Sequence, residues 1–346
     1  MTAPDTSLDP TASASSIHGI DPDLLGRKVI GRITGSPDSS RSYLNDPVFS
    51  FYNIGRRLPN DPHWGEVLVS DVIGCNYRCA HCWVSTDALN GSIGSAFLKK
   101  KNSQLPKEFR GNTLQDADAI FSYLLRKSES MPKRIFAFTG GETSLYRGGL
   151  KRVGELAQNA SEKVHIGIDT DGYLIATQPE YLSAWDGLQD TFNLYVSIKG
   201  HDAASFQRFT SVNGKAYDTP FVAIETLLKH GFKTIPGGVV LNTIAHHDNP
   251  VEVAEQLQAR LSSIHPDLPR LLSYHAISWM VHDRKAVSKR LKSRDYISTK
   301  PSDTRDAIVK TFERLKTPIV DVASGCKPGI LSKNKILEHI IADLKQ

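Results

Sequence analysis

Three of the four cysteines of this chain fall in one short stretch, Cys75-Asn76-Tyr77-Arg78-Cys79-Ala80-His81-Cys82, and the fourth, Cys326, lies far downstream. A loop of this length can wrap three thiolates around one metal centre. The same crowding is a poor layout for a disulfide framework. A structural zinc ion asks for four ligands, usually as two separated pairs. The second pair is missing here: His81 would be strained against its neighbour Cys82, and Cys326 stands alone. Three clustered thiolates without a fourth suit a [4Fe-4S] cubane with one iron left open, a departure from four-cysteine ligation. A structural zinc or iron–sulfur binding protein without catalysis is the alternative.

Three further groupings could meet a ligand. Gly140-Gly141-Glu142 follows the apolar run Ile135–Phe138. Paired glycines after such a run are ordinary turn punctuation, yet they also let backbone come close to a bound molecule. Glu142 can accept hydrogen bonds from an ammonium group or cap the helix that follows. Asp169-Thr170-Asp171-Gly172 follows Val164–Ile168 and suits an Asx-type turn or a polar contact. Ser197 and Lys199 close the run beginning at Phe192. The lysine either carries its charge out to water or aims it into the mouth of the fold.

The elements that must position these residues alternate. Val67–Ile73, Ile135–Phe138, Val164–Ile168, Phe192–Ile198, Thr234–Leu241 and Leu271–Ile277 each read as a buried strand. Between them, Thr113 can cap a helix with Ala117, Ile120, Tyr123 and Leu124 inward. Leu150, Val153 and Leu156 mark a second helix, and Phe221, Ile224, Leu227 and Leu228 a third. Asn249-Pro250 starts another, with Glu252 placed for a capping box and Ala254, Leu257, Leu261 and Ile264 as its buried stripe. Six strand–helix alternations imply parallel strands joined by right-handed crossovers, in a curved open sheet. Chemistry in such folds gathers at the C-terminal ends of the strands. Cys75, Gly140, Asp169 and Lys199 all fall there.

The C-x-x-x-C-x-x-C spacing directly after a first strand, with Trp83 behind the last cysteine, resembles the signature of radical S-adenosylmethionine (SAM) enzymes. The resemblance runs from about Val67 to Asn242. It implies an α/β fold, a partial (β/α)6 TIM-like barrel of parallel strands with an N-terminal extension and C-terminal helical elements. It implies Cys75, Cys79 and Cys82 as ligands to three irons of a [4Fe-4S] cluster, the fourth iron being chelated by SAM. By the same resemblance Gly140, Gly141 and Glu142 lie against the methionine amino group. The stretch holding Asp169 and Asp171 is similar to the D-T-N-G element of glycyl-radical-enzyme activases. Asp171 stands there in place of Asn, which keeps the oxygen acceptor and loses the amide donor. Ser197 and Lys199 occupy the position of the activase D-x-K element, with Ser197 replacing Asp and Lys199 directed at the SAM carboxylate. Losing that Asp weakens the case for a glycyl radical enzyme as substrate.

The resemblance further implies a one-electron reductant of flavodoxin or ferredoxin-like type. Its electron cleaves SAM to methionine and a 5′-deoxyadenosyl radical, which abstracts hydrogen from an unidentified substrate: small molecule, protein or RNA. A radical SAM tRNA-modifying enzyme is the alternative within the family. It is motivated by two basic stretches, Lys99-Lys100-Lys101 with Lys107 and Arg110, and Arg284, Lys285, Lys289, Arg290, Lys292 and Arg294. Solvated charged surfaces are the commoner origin of such runs, and no RNA-binding signature accompanies them. His246, His247, His275 and Trp279 near the late strand ends are candidate pocket residues. Cys326 is a structural thiol or a hydrogen donor.

Composition bounds the rest. A chain of 346 residues, 40% hydrophobic, buries about 75% of its unfolded surface and needs no disulfides. No apolar run approaches the roughly 18 residues of a membrane span, so no membrane association is expected. The start of the chain lacks a secretory pattern and thiolate ligation favours a reducing compartment, so a cytoplasmic location is expected. A net charge of +5 permits an anionic partner without demanding one. The expected organisation is a largely disordered or loosely docked extension over 1–45, a radical SAM core over 46–280, and a C-terminal helical extension over 281–346.

Overall fold

The structure is a computed structural model, and it describes residues 19–34, 45–61, 64–91, 105–111, 114–238, 250–274 and 334–345. The strands, in chain order, are β1 (Val48–Phe49), β2 (Phe51–Asp61), β3 (Gly65–Val72), β4 (Gln115–Asp116), β5 (Arg134–Gly140), β6 (Val164–Thr170), β7 (Phe192–Ile198), β8 (Lys233–Gly238) and β9 (Ser273–Tyr274). Seven of them form one sheet in the order β2-β3-β5-β6-β7-β8-β9, while β1 and β4 form a small antiparallel pair. From β3 to β9 every neighbour is parallel, and β2 joins β3 antiparallel as an edge strand. Six parallel strands with helices between them give the partial TIM-like α/β architecture expected from the alternation.

The helices between strands bury most of the predicted stripes, with Leu156 and Ile264 only half-buried and Ile264 beyond the end of its helix. Leu150 and Val153 are buried in Arg147–Gln158; Phe221, Ile224, Leu227 and Leu228 in Thr219–Lys229; Ala254, Leu257 and Leu261 in Pro250–Ser262. Helix Ala117–Lys127 buries Ala117, Ile120 and Leu124, whereas Tyr123 is only half-buried. Its cap is Asp116, whose Oδ1 accepts from the amides of Asp118 at 3.0 Å and Ala119 at 3.1 Å. Thr113, the expected cap, and Asn249, the other expected cap, lie outside the described residues. So do the ends expected for β8 (239–241) and β9 (275–277).

Several short elements went unread in the sequence, and so did two longer ones of 11 and 13 residues. One is β2. The other is helix Pro22–Thr34, whose Val29 is buried and whose leading residue Ile20 exchanges backbone hydrogen bonds with Ser211 and Asn213, each 2.9 Å long. Near the far end of the chain, helix Asn334–Leu344 packs Leu337 and Ile340 against helix Thr219–Lys229 and β8.

Strand register decides which residues share the sheet's site face. Asp71 pairs with Thr139, Asp169 with Tyr195, and Tyr195 with Ile235, which puts them in one row. The row nearer the N-terminal ends holds Val69, Ala137, Gly167, Asn193 and Lys233. The opposite face carries Leu68, Phe136, Ile166 and Phe192, all buried in the hydrophobic core. One face is therefore apolar, and the other becomes polar toward the strand ends.

Candidate functional site

The cysteine loop leaves β3 and is tied down on both sides. Gly74 and Cys75 donate their amides to the carbonyls of Ala88 (2.8 Å) and Leu89 (3.0 Å), in the helical turn Thr86–Leu89. Arg78 and Ala80 donate theirs to Thr210 (2.9 Å) and Phe209 (2.8 Å), at the end of helix Ala203–Thr210. The Arg78 guanidinium then closes the loop on itself. It donates to the carbonyls of Cys75 and Tyr77, both at 2.7 Å, and to Asn90 Oδ1 at 2.6 and 3.0 Å. Cys79 is buried, Cys75 and Cys82 are half-buried, and none of the three is in a disulfide. The Tyr77 amide points at Cys75 Sγ, 3.3 Å away. The His81 ring lies flat on Phe209, centroids 4.3 Å apart.

Burial pushes the Cys75 thiol well up, and the nearby Asp171, Cys79 and Glu142 push it further, with Arg78 opposing them. Such a thiol keeps its proton until a cation replaces it, so metal capture and proton release are linked here.

The glycine pair locks against this loop. Gly141 donates to Val72 O at 3.0 Å and Glu142 to Gly74 O at 2.7 Å. A Cβ on Gly141 would sit 2.0 Å from Gly74 O, so only glycine permits the approach. Gly140 holds φ +96°, in the left-handed region that a side chain disfavours. Glu142 does cap the following turn, Thr143–Tyr146, with Oε1 accepting from the Ser144 amide at 2.9 Å. It also reaches the next strand end: Oε1 accepts from Thr170 Oγ1 at 2.6 Å and Oε2 from the Asp171 amide at 2.7 Å. One carboxylate thus fastens two of the groupings together, a link that no sequence spacing announces.

Asp171 is only 3% exposed. Its Oδ1 accepts from the Tyr173 amide at 3.0 Å, while the buried Oδ2 has no hydrogen-bond partner. Burial and the Glu142 carboxylate hold its pKa well up, and Lys199 pulls against them. Lys199 is 8% exposed, so it does not carry its charge out to water; its Nζ lies 5.4 Å from the centre of the Tyr77 ring. Tyr77 was not anticipated as part of the site, and only its place inside the cysteine motif could have pointed to it. Asp169 is pushed up to about 7, by burial first, against a hydrogen bond from Thr139. Ser197 is half-buried and pairs with Gly237, beyond the Tyr195–Ile235 pair on the same face. Beside Cys75, the Asn76 side chain is 1% exposed and its Nδ2 lacks a partner.

An unmatched buried polar atom costs about 1–3 kcal/mol. Asp171 Oδ2 and Asn76 Nδ2, set by the cysteine loop with a buried ammonium close by, therefore fit a polar, charged ligand. Among the described residues, no three Cys, His, Asp or Glu side chains converge as ligands of one ion.

A family model described as the radical SAM superfamily matches residues 69–258, more than half of the chain. The chain belongs to the radical SAM superfamily. Members of this superfamily are S-adenosylmethionine-dependent enzymes, and the cofactors of the family are a [4Fe-4S] cluster and SAM. The non-catalytic zinc alternative falls with that membership. Among solved structures, "Native anSMEcpe with bound AdoMet" is similar at 18% identity and TM-score 0.41, over 60% of this chain and 51% of that one. A polyhistidine-tagged form of anSMEcpe with bound AdoMet is similar at 19% identity and TM-score 0.41, over 60% and 48%. This radical SAM chain thus spans about half the length of those structures. No curated protein matches it.

The other candidates fare unevenly. Lys107 opens the short turn Lys107–Phe109, and Arg110 donates to Leu105 O at 3.1 Å within its own loop. Lys99–Lys101, His246, His247, His275, Trp279, the basic stretch 284–294 and Cys326 lie outside the described residues. Among those described, no helix is long and apolar enough to cross a membrane.

Proposed function

We propose that Cys75, Cys79 and Cys82 hold the [4Fe-4S] cluster and that Gly140, Gly141, Asp169, Asp171, Ser197 and Lys199 receive SAM. The substrate is admitted at the polar face of the sheet, beyond the strand ends. When bound, cluster and SAM supply one chemistry: an electron from a flavodoxin- or ferredoxin-like donor splits SAM into methionine and a 5′-deoxyadenosyl radical, which takes hydrogen from an unactivated C–H bond. The catalytic unit is residues 46–280, with 1–45 and 281–346 as extensions.

The observation that carries this reading is the buried pair Lys199 and Asp171, set beside the cysteine loop with Asp171 Oδ2 unmatched. A buried ammonium needs an anion, and an unmatched carboxylate oxygen needs a donor. The carboxylate and amino groups of an amino-acid moiety provide one of each. The Gly140-Gly141 turn packs directly on the cysteine loop and so holds that loop at the strand ends, and Arg78 keeps the loop carbonyls occupied. The two Glu142 oxygens already serve three donors. Its role is therefore to position Asp171 and the glycine turn.

The test is oxygen-free purification with metal analysis, followed by dithionite reduction with SAM. Iron and sulfide together with 5′-deoxyadenosine are expected, and Cys79→Ala should abolish the product. Zinc without iron or sulfide would overturn the assignment, as would continued deoxyadenosine formation by the alanine variant.

A further inference from the structure

We propose that a cavity at the open edge of the sheet binds the substrate as a ring-bearing anion, an aromatic body carrying a carboxylate or phosphate. This deepens, and rests on, the assignment of the strand ends as a radical SAM site. The cavity has a volume of 590 Å³ and lies between β2, the end of β3, the segment after Cys82, and helix Ala117–Lys127. Small-molecule sites span about 300–1,000 Å³ and combine apolar walls with a few placed polar groups.

The walls are aromatic. Tyr52 and Trp83 meet edge to face with centroids 6.2 Å apart on one side, and Tyr123 stands on the other. Gly55 of β2 faces Tyr123, and a Cβ there would come within 3.1 Å of that ring and 3.4 Å of the Lys127 stem. The missing side chain keeps the strand close to this wall.

The charge is cationic and incompletely balanced. Arg57 is matched, since its guanidinium is bonded to Glu66 and to Ser130. Arg56 approaches Asp71 only to 3.8 Å with half of its side chain exposed, and Asp71 already accepts from Asn53 Nδ2 at 2.7 Å. Lys127 donates to the Tyr123 hydroxyl at 3.2 Å and sits 5.5 Å from that ring's centre. A hydroxyl and a ring aim the ammonium without cancelling its charge. Two cations flanking aromatic walls recognise an anion joined to a ring.

The location ties the cavity to the chemistry. Trp83 directly follows Cys82, and Asp71 belongs both to the cavity lining and to the polar row that includes Thr139. A molecule anchored here is held at the rim of the strand-end site.

The experiment uses the full-length chain without reductant. Indole-3-acetate and phenyl phosphate are titrated by calorimetry and by saturation-transfer NMR, against indole, phenol and acetate as partial probes. The ring-bearing anions should bind about tenfold more tightly than either the uncharged rings or acetate. Arg56→Gln and Lys127→Gln should each weaken them about three- to tenfold, while Arg56→Lys and Lys127→Arg largely restore binding. Preference for indole-3-acetate over phenyl phosphate identifies a carboxylate, and the reverse a phosphate. Equal affinity for indole and indole-3-acetate, or wild-type binding by both glutamine variants, would overturn the inference. Deoxyadenosine formation by the wild-type enzyme is measured in parallel. Its absence strikes the functional assignment alone, and loss of anion preference with that activity intact strikes the cavity alone.

Discussion

At the C-terminal ends of the parallel strands, carboxylates and an ammonium are buried with hydrogen-bonding capacity left over, whereas at the N-terminal ends the same sheet face closes on itself. Asp171 and Asp169 each keep a buried oxygen without a partner. At the other end the Trp64 indole covers Gly167, so closely that a Cβ there would lie 2.8 Å from the ring. His165 sits below it with its pKa lowered to about 4, first by burial and then by Lys163, Lys233 and Lys133. Lys133 and Lys163 are exposed, so water satisfies their charge. One end is sealed by an aromatic ring with its cations outside. Unmatched polar atoms occur at both ends, His165 Nδ1 and Asn193 Oδ1 at the sealed one, whereas the strand-end site buries unmatched carboxylate oxygens beside a buried ammonium.

Substitutions at the two ends should therefore behave differently. The largest effect is expected from Gly141→Ala, because the new methyl meets backbone on the Gly74 side and nothing there can yield. A loss of about 3 kcal/mol or more in urea unfolding, with little iron incorporated, is the expected outcome. Wild-type stability would show that the strand-end turn is looser than described. Glu142→Gln should cost about 1–3 kcal/mol, since one oxygen that accepts from a backbone amide or from Ser144 and Thr170 becomes a donor. SAM affinity, read by equilibrium dialysis, should fall with it; an unchanged value would remove the positioning role.

Asp171→Asn should act in the opposite direction on stability. It removes a buried carboxylate whose charged form is disfavoured by burial and by Glu142. The metal-free variant should gain about 1 kcal/mol. A loss of that size would mean that Lys199 stabilises the carboxylate more than burial penalises it.

The smallest effects lie in the pH dependence of the metal-free protein. Asp169 titrates at about 7 when folded against an ordinary 3.8, so between these values the folded protein holds a proton that the unfolded chain has released. Its contribution to stability is lost as pH rises through that window. His165 titrates at about 4 when folded against an ordinary 6.5, so there the unfolded chain holds the extra proton. Stability is lost as pH falls from 6.5 toward 4. One proton is worth at most about 1.4 kcal/mol per pH unit, and solvent screening reduces the share of the partly open His165. Asp169→Asn should leave a profile that rises with pH, and His165→Phe one that falls. Parallel profiles for the two variants would show that the ends do not oppose each other.

Much of this arrangement was legible because it is written in local pattern. β7 runs over Phe192–Ile198, as its apolar run indicates, and the cysteine spacing needs only a loop to act. β2 was not legible: Gly55, Arg56, Arg57, Pro59 and Asn60 break both alternation and strand propensity. Its pairing comes from β3, a tertiary partner that composition does not reveal. The Glu142 fastening and the burial of Lys199 depend likewise on strand ends meeting in space. Asp116 displaced the expected cap of its helix because either Thr113 or Asp116 can accept the first amides, and the packing of Ala117 and Ile120 places the start after Asp116.

β2 has a consequence for how copies of the protein meet. Among the described residues it is the terminal strand of the sheet, and a regular terminal strand offers its unpaired amides and carbonyls to any extended chain nearby. Here the pairing with β3 slips between Phe51 and Asn53, between Asn53 and Arg56, and between Leu58 and Asp61. Each slip spoils the spacing a foreign strand would have to match, and Pro59 withholds an amide. Arg56, half exposed and only loosely balanced by Asp71, adds repulsion between like edges. The irregular strand works as a selvedge: it lets the sheet end in solvent without fraying into aggregates, and so lets a barrel stop short of closure.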